Sequence, residues 1–123
     1  MRRTGMAAAT VMVAFGIAVG AFGAHGLKAI VTDEGLLANF ETGARYWMYA
    51  ALALLALTAV GISRWAAGLL AGGAAIFAGS LWLMAFTGAR WLGAITPIGG
   101  VGMIAGLLLA AVGLYRGPTP ATD

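Results

Sequence analysis

The chain has few residues that could do chemistry, and they cluster in one region. Its one histidine stands in Gly23-Ala24-His25-Gly26-Leu27-Lys28, and three of its four carboxylates follow at Asp33, Glu34 and Glu41. An imidazole can ligate heme or a metal, or relay protons. A structural metal site needs several converging nitrogen, sulfur or carboxylate ligands. One histidine, three nearby acids and no cysteine are too few in a single chain, although a homo-oligomer could gather several copies of His25. The expectation is therefore no metal and no cofactor. The simpler reading of His25 is a residue at the carbonyl end of a helix, where the dipole favours positive charge, hydrogen-bonded to backbone or to a carboxylate. His25, Lys28, Glu41 and Arg45 remain as candidate contacts for a ligand or a lipid headgroup.

The other reactive types divide in the same way. Paired acids for acid–base catalysis belong in a dry pocket with shifted pKa values. Asp33 and Glu34 are adjacent, so on a helix they point about 100° apart and read as a solvated helix start. Glu41 stands four residues before Arg45, the favourable order for an ion pair on a helix. The absence of cysteine removes thiolate catalysis, disulfides and iron–sulfur ligation. Met12, Met48, Met84 and Met103 could serve as axial ligands, but methionine in an apolar helix is normally packing filler. No Asp, Glu, Lys, Arg or His stands at the centre of a long apolar run. Such residues mark ion and proton pathways, so their absence argues against a pump or an ion-coupled transporter. Thr10, Thr58 and Ser80 are hydroxyls that can bond to their own helix.

The elements that must position these residues follow from composition. The 123 residues are 62% hydrophobic and 9% charged, with a mean hydropathy of +0.96. A soluble domain carries about 25% charged residues, so lipid is the expected solvent. Four apolar runs are long enough to cross about 30 Å of hydrocarbon at about 1.5 Å per residue. They predict spans over about 6–24, 46–63, 65–87 and 97–115 in a single membrane domain, 1–123. Arg2 and Arg3 ahead of the first run also fit a signal peptide, with Val19-Gly20-Ala21 as a weak cleavage site. The run is longer than a usual signal core, so it reads as a retained span. The seven basic residues are scattered at span ends and form no patch, which excludes nucleic acid.

Between the first two spans, about 33–45, Leu36, Leu37, Phe40 and Ala44 recur at helical spacing. This predicts a short amphipathic helix on the membrane surface, capped by Thr32 or Asp33, with Gly43 at the bend into span two. Gly26 is a natural stop for span one, because glycine accepts the left-handed conformation. Arg64 falls in the short turn that makes spans two and three antiparallel neighbours. Thr96-Pro97 opens span four, with Thr96 as N-cap and Pro97 at the first helical position. Gly117-Pro118 ends it, and the tail to Asp123 should be loose. The fold class expected is all-α integral membrane, a four-transmembrane-helix bundle with an interfacial helix.

Small residues at helical spacing mark packing faces where water supplies no drive for association. Candidates are Gly16, Gly20 and Gly23 in span one, Gly68 and Gly72 in span three, and Gly99, Gly102, Gly106 and Gly113 in span four. Trp47, Trp65, Trp91 and Tyr115 are candidate interfacial anchors: Trp47 and Trp91 with Tyr46 at the outer edge and Trp82 near it, Trp65 and Tyr115 at the inner edge. Arg2, Arg3, Arg64 and Arg116 fall on one side, against Lys28, Arg45 and Arg90 on the other. Counting lysine and arginine puts both termini in the cytoplasm.

Four stretches also resemble one family. They are Gly20-Ala21-Phe22-Gly23-Ala24-His25-Gly26-Leu27-Lys28; Phe40-Glu41-Thr42-Gly43-Ala44-Arg45-Tyr46 with Ala51-Leu52-Ala53-Leu54-Leu55; Phe77-Ala78-Gly79-Ser80-Leu81; and Thr96-Pro97-Ile98-Gly99-Gly100. In order and spacing they resemble the domain of unknown function 423 family, transmembrane protein 256-like proteins, across nearly the whole chain. The resemblance implies a small multi-pass protein of the bacterial inner membrane and no established activity. In that family's pattern a histidine often precedes the Ala-Leu-Ala run, with another polar residue or histidine nearby. Here Ala50 and Trp47 stand at those positions, so a site built on those histidines lacks ligands in this chain.

The function expected is non-catalytic: a structural or accessory subunit packing through its glycine faces in a homo-oligomer or larger membrane complex, with lipids as its other partners. The alternative is a small transport or lipid-handling protein gated by the surface helix. A heme- or quinone-binding redox component is the remotest reading.

Overall fold

The computed structural model describes residues 2–117. Four long helices fill it: α1 Arg2–His25, α2 Glu34–Val60, α3 Arg64–Thr87 and α4 Thr96–Arg116. Each is long and apolar enough to cross a membrane. The expected tail from Pro118 to Asp123 lies outside the described residues.

The connections show why the chain turns where it does. α1 ends at His25, and the Gly26 N–H donates to the Phe22 carbonyl at 2.7 Å. Gly26 has φ −90°, so it does not use the left-handed conformation expected of it. Its lack of a side chain matters instead, because a Cβ there would lie 2.9 Å from the Phe22 ring. The chain continues into a 3₁₀ turn, Leu27–Ala29, which buries Leu27. Asp33 then caps α2, accepting from the Leu36 N–H at 3.0 Å. At the opposite end Ser63 caps α3 through Ala66 N–H at 3.1 Å, which makes Arg64 the first helical residue. α3 stops at Gly88, whose φ of +73° is the left-handed conformation glycine accepts at no cost. A second 3₁₀ segment, Arg90–Ala94, leads into α4.

Two expectations change here. The segment 33–45 is not a separate surface helix, because α2 runs unbroken from Glu34 to Val60. Its 27 residues extend about 40 Å, some 10 Å more than the hydrocarbon needs. The amphipathic stretch is the first part of α2. Gly43 does not bend it; it is a contact point, where a Cβ would lie 3.0 Å from Trp82 Nε1 and 3.3 Å from Leu81 Cβ on α3. Thr96 is also not the N-cap of α4. It is the first helical residue, and Ile95 occupies the cap with no side-chain bond.

The helices pack serially: α1 on α2, α2 on α3, α3 on α4, with no extended face between α1 and α4. α1 also meets α3 through rings, with Phe15 against Trp82 at 5.9 Å and Phe22 against Phe86 at 6.3 Å. The interior mixes small side chains, with Ala9, Ala51, Ala66, Ala74 and Ala78 buried, and larger ones such as Leu27, Phe40, Leu70 and Met84. Other large ones such as Val11, Ile17, Leu83, Ile104 and Leu108 point outward. This is the arrangement expected where lipid is the solvent and close van der Waals contact holds helices together.

Glycine sets the tightest contacts. A Cβ on Gly73 would lie 2.5 Å from the Met103 nitrogen and 2.7 Å from the Gly99 oxygen. One on Gly106 would lie 2.7 Å from Leu70 N, and one on Gly99 would overlap the Phe77 backbone. α3 and α4 therefore touch backbone to backbone. On α1, Gly16 faces Met48 and Trp47, and Gly23 faces the Phe40 ring. Gly102 approaches Gly73 Cα at 3.3 Å, whereas Gly20, Gly68, Gly72 and Gly113 face nothing within 4 Å.

The aromatic anchors divide too. Trp65, Trp91 and Tyr115 are 79%, 68% and 93% exposed. Trp47 is partly buried between helices. Its indole N–H donates at 2.8 Å to the carbonyl of Met12, midway along α1. It lies in an aromatic cluster with Phe15 and Trp82. Position 47 is the midpoint of α2, Glu34–Val60. Trp82 is half-buried in the same cluster, five residues before the end of α3, with Nε1 unpartnered beside Gly43.

Candidate functional site

The residues with chemical potential meet at the corner between α1 and α2. Gly26 and the 3₁₀ turn bring Lys28 back over the start of α2. Gly23 lets α1 lie against Phe40. Between the two helices a groove of about 510 Å³ remains, floored by Gly20, Gly23 and Ala24 of α1 and by Leu37, Ala38 and Ala44 of α2. Lys28, Glu34 and Glu41 line it as well.

Charge pairing around this corner is selective. Asp33 accepts from Arg90 at 3.0 Å, which ties the α1–α2 and α3–α4 connections together. Three influences hold the Asp33 carboxyl below its usual range: first the Leu36 N–H it accepts from, then the Arg90 guanidinium, then the Gly35 N–H. Glu41 pairs with Arg45 at 3.3 Å, one helical turn apart, with both side chains exposed. Such a pair contributes little to stability. Lys28 and Glu34 line the same groove with no salt bridge among the described residues.

His25 is exposed at the end of α1 and does not line the groove. Among the described residues no three histidine, aspartate or glutamate side chains gather where a metal could sit. Ala50, at the position where the resembling pattern often has a histidine, is buried in the core formed with Leu54, Leu70 and Met103.

Sequence reasoning missed one polar contact. Ser80 on α3 and Thr96 at the start of α4 share a hydrogen bond of 2.6 Å, buried between the helices. One hydroxyl proton makes that bond and the other goes to a carbonyl of its own segment, from Thr96 Oγ1 to Leu92 at 3.3 Å or from Ser80 Oγ to Phe77 at 3.0 Å. The pair joins α3 to α4. The signal was present: Ser80 and Thr96 both fall in the family-like stretches. Their pairing needs the Gly73–Gly99 contact, which brings the two backbones together.

Further grooves are apolar. One of about 490 Å³ lies between α2 and α4 over α3, lined by Tyr46, Tyr49, Phe77, Met103 and Leu107. Another of about 370 Å³ runs between the start of α1 and α3 beside Thr58 and Gly68.

The profile of the family described as "Protein of unknown function (DUF423)" matches residues 19–100. The chain belongs to this family. The match contains the α1–α2 corner, its groove and the Ser80–Thr96 pair. Among relatives, a UPF0382 membrane protein of Staphylococcus haemolyticus is 39% identical over 106 residues, covering 81% of this chain and 85% of its own. The UPF0382 membrane protein YwdK of Bacillus subtilis is 37% identical, covering 81% and 86%. The UPF0382 inner membrane protein YgdD of Escherichia coli is 37% identical, covering 81% and 80%. No solved structure matches the chain. As a DUF423 protein with four apolar helices, it is a small membrane protein.

Proposed function

We propose that this DUF423 protein is a non-catalytic subunit of the inner membrane that works by associating with copies of itself. One observation carries the reading. Gly68, Gly72, Ala75 and Gly79 recur on α3 at spacings of four, three and four, which is one helical stripe. A Cβ on any of the three glycines would meet nothing within 4 Å. The close-packing glycines of α3 and α4, Gly73, Gly99 and Gly106, are already used inside the protomer. The outward stripe has no such use, and small residues on a lipid-facing stripe let a second backbone approach. A stripe of this kind is self-complementary across a two-fold axis, which favours a second copy as the occupant. The membrane assignment follows the inner-membrane relative YgdD, with both termini inside by the count of basic residues.

The test is native mass in mild detergent. Gly72→Leu should leave the melting temperature unchanged, because nothing in the chain opposes the side chain, and should shift the assembly to protomer mass. A wild-type protein that is already monomeric, or an assembly mass unchanged in Gly72→Leu, overturns self-association. Co-purification of a different membrane subunit in place of a second copy overturns the choice of partner.

A further inference from the structure

We propose that the groove between the end of α1 and the start of α2 binds one glycerophospholipid with a primary-amine headgroup. Its phosphate meets Lys28, its ammonium meets Glu34, and one acyl chain lies over Gly20. The site is independent of the self-association stripe, which lies on α3 and lines no part of this groove.

Shape supports it first. The groove volume of about 510 Å³ is in the range of small-molecule sites, roughly 300–1,000 Å³. Its floor is small residues on both helices. At Gly20 a Cβ would meet nothing within 4 Å, so α1 stands back from any neighbour there. One turn on, at Gly23, Phe40 closes the space between the helices.

Charge decides the headgroup. Asp33 is occupied by Arg90 and Glu41 by Arg45. Lys28 and Glu34 therefore line the groove as one cation and one anion without partners among the described residues. Both lie at the end of the spans, Lys28 in the 3₁₀ turn and Glu34 at the first position of α2. A phosphate offers charge-assisted acceptors to the Lys28 ammonium, and a primary ammonium offers donors to the Glu34 carboxylate. Phosphatidylglycerol would satisfy the lysine but leave the carboxylate facing a neutral glycerol. Phosphatidylcholine carries the positive charge but has no N–H to donate.

The experiment titrates the full, delipidated protein with phosphatidylethanolamine, phosphatidylglycerol and phosphatidylcholine of matched acyl chains, read by native mass spectrometry. One phosphatidylethanolamine adduct should be retained about tenfold better than the other two lipids, as expected for one extra charge-assisted hydrogen bond. Gly20→Leu and, separately, Ala38→Leu should fill the groove and remove that adduct while the melting temperature holds. Glu34→Gln should bring phosphatidylethanolamine and phosphatidylcholine to equal retention, and Lys28→Ala should weaken both. Equal retention of all three lipids by the wild type shows a general lipid coat and overturns the proposal. An adduct that survives both Gly20→Leu and Ala38→Leu places the lipid elsewhere and also overturns it.

Discussion

Ser80 and Thr96 show how individual side chains hold this protein together without a water-driven hydrophobic effect between helices. Their 2.6 Å hydrogen bond lies buried between α3 and α4. In hydrocarbon an interhelical bond is worth about 0.6 kcal/mol on average and up to about 1.7. Ser80→Ala should therefore cost about 1 kcal/mol in detergent unfolding. A double-mutant cycle with Thr96→Val should return a coupling of the same order, and additive losses would show that the pair does not interact. Trp47 gives a second residue-scale test. Trp47→Phe keeps an aromatic ring beside Gly16 and Phe15 but removes the donor to the Met12 carbonyl, so about 1 kcal/mol should be lost. A neutral result would show that this bond adds nothing to the fold. Asp33 adds a pH dependence. Its folded pKa lies below the ordinary 3.8, so the folded protein binds fewer protons there than the unfolded chain. The stabilisation is complete above the ordinary value and is lost as pH falls through the lower folded one. The melting temperature of wild type should drop with acidification below about pH 4 more steeply than that of Asp33→Asn, which keeps a capping oxygen without a titrating group. Parallel curves would remove Asp33 from the account.

At the scale of elements, glycines of similar sequence context play opposite roles. Gly106→Leu should drive a side chain into the Leu70 and Ala66 backbones, costing upward of about 1–3 kcal/mol and loosening α4 from α3. Gly72→Leu should be neutral for the fold. Thermal unfolding of the two variants side by side checks this, and equal loss in both would show that the α3–α4 seam is misplaced. The sequence could not make this distinction. Periodicity locates a small-residue stripe but not the neighbour it meets, and twenty glycines offer more stripes than one protomer uses. Gly73, the α3 partner of Gly99, was hidden beside the more conspicuous Gly68 and Gly72 pair. What was legible were the four spans, because hydropathy over a membrane-length window is a strong signal. The 33–45 stretch was legible as helix but not as part of α2, since no local signal separates the first turns of a long helix from an independent surface helix.

For the whole molecule, serial packing leaves the first and last helices without a common face. The structure is held by three sequential interfaces and by the Asp33–Arg90 bridge between connections that meet at one end. The candidate groove at that end was half legible. The motif around His25 and Lys28 drew notice for its histidine, yet the groove is lined by Gly20, Lys28 and Glu34 among others, and His25 is not part of that lining. Orientation is open to a direct check, because the chain contains no cysteine. A single cysteine at Lys28 should react with an impermeant thiol reagent from outside intact cells, and one at Arg64 only after lysis. The reverse pattern would invert the topology argued from basic residues. The same lack of cysteine makes the central claim accessible in the membrane itself. Gly72→Cys should form a disulfide-linked dimer on mild oxidation, because in the proposed assembly the outward stripe of α3 meets its copy across a two-fold axis. Ile104→Cys, on the lipid-facing side of α4, should stay monomeric under the same conditions. Rapid cross-linking of Gly72→Cys alone is the result this account predicts; no dimer from Gly72→Cys, or equal dimer from both positions, would contradict it.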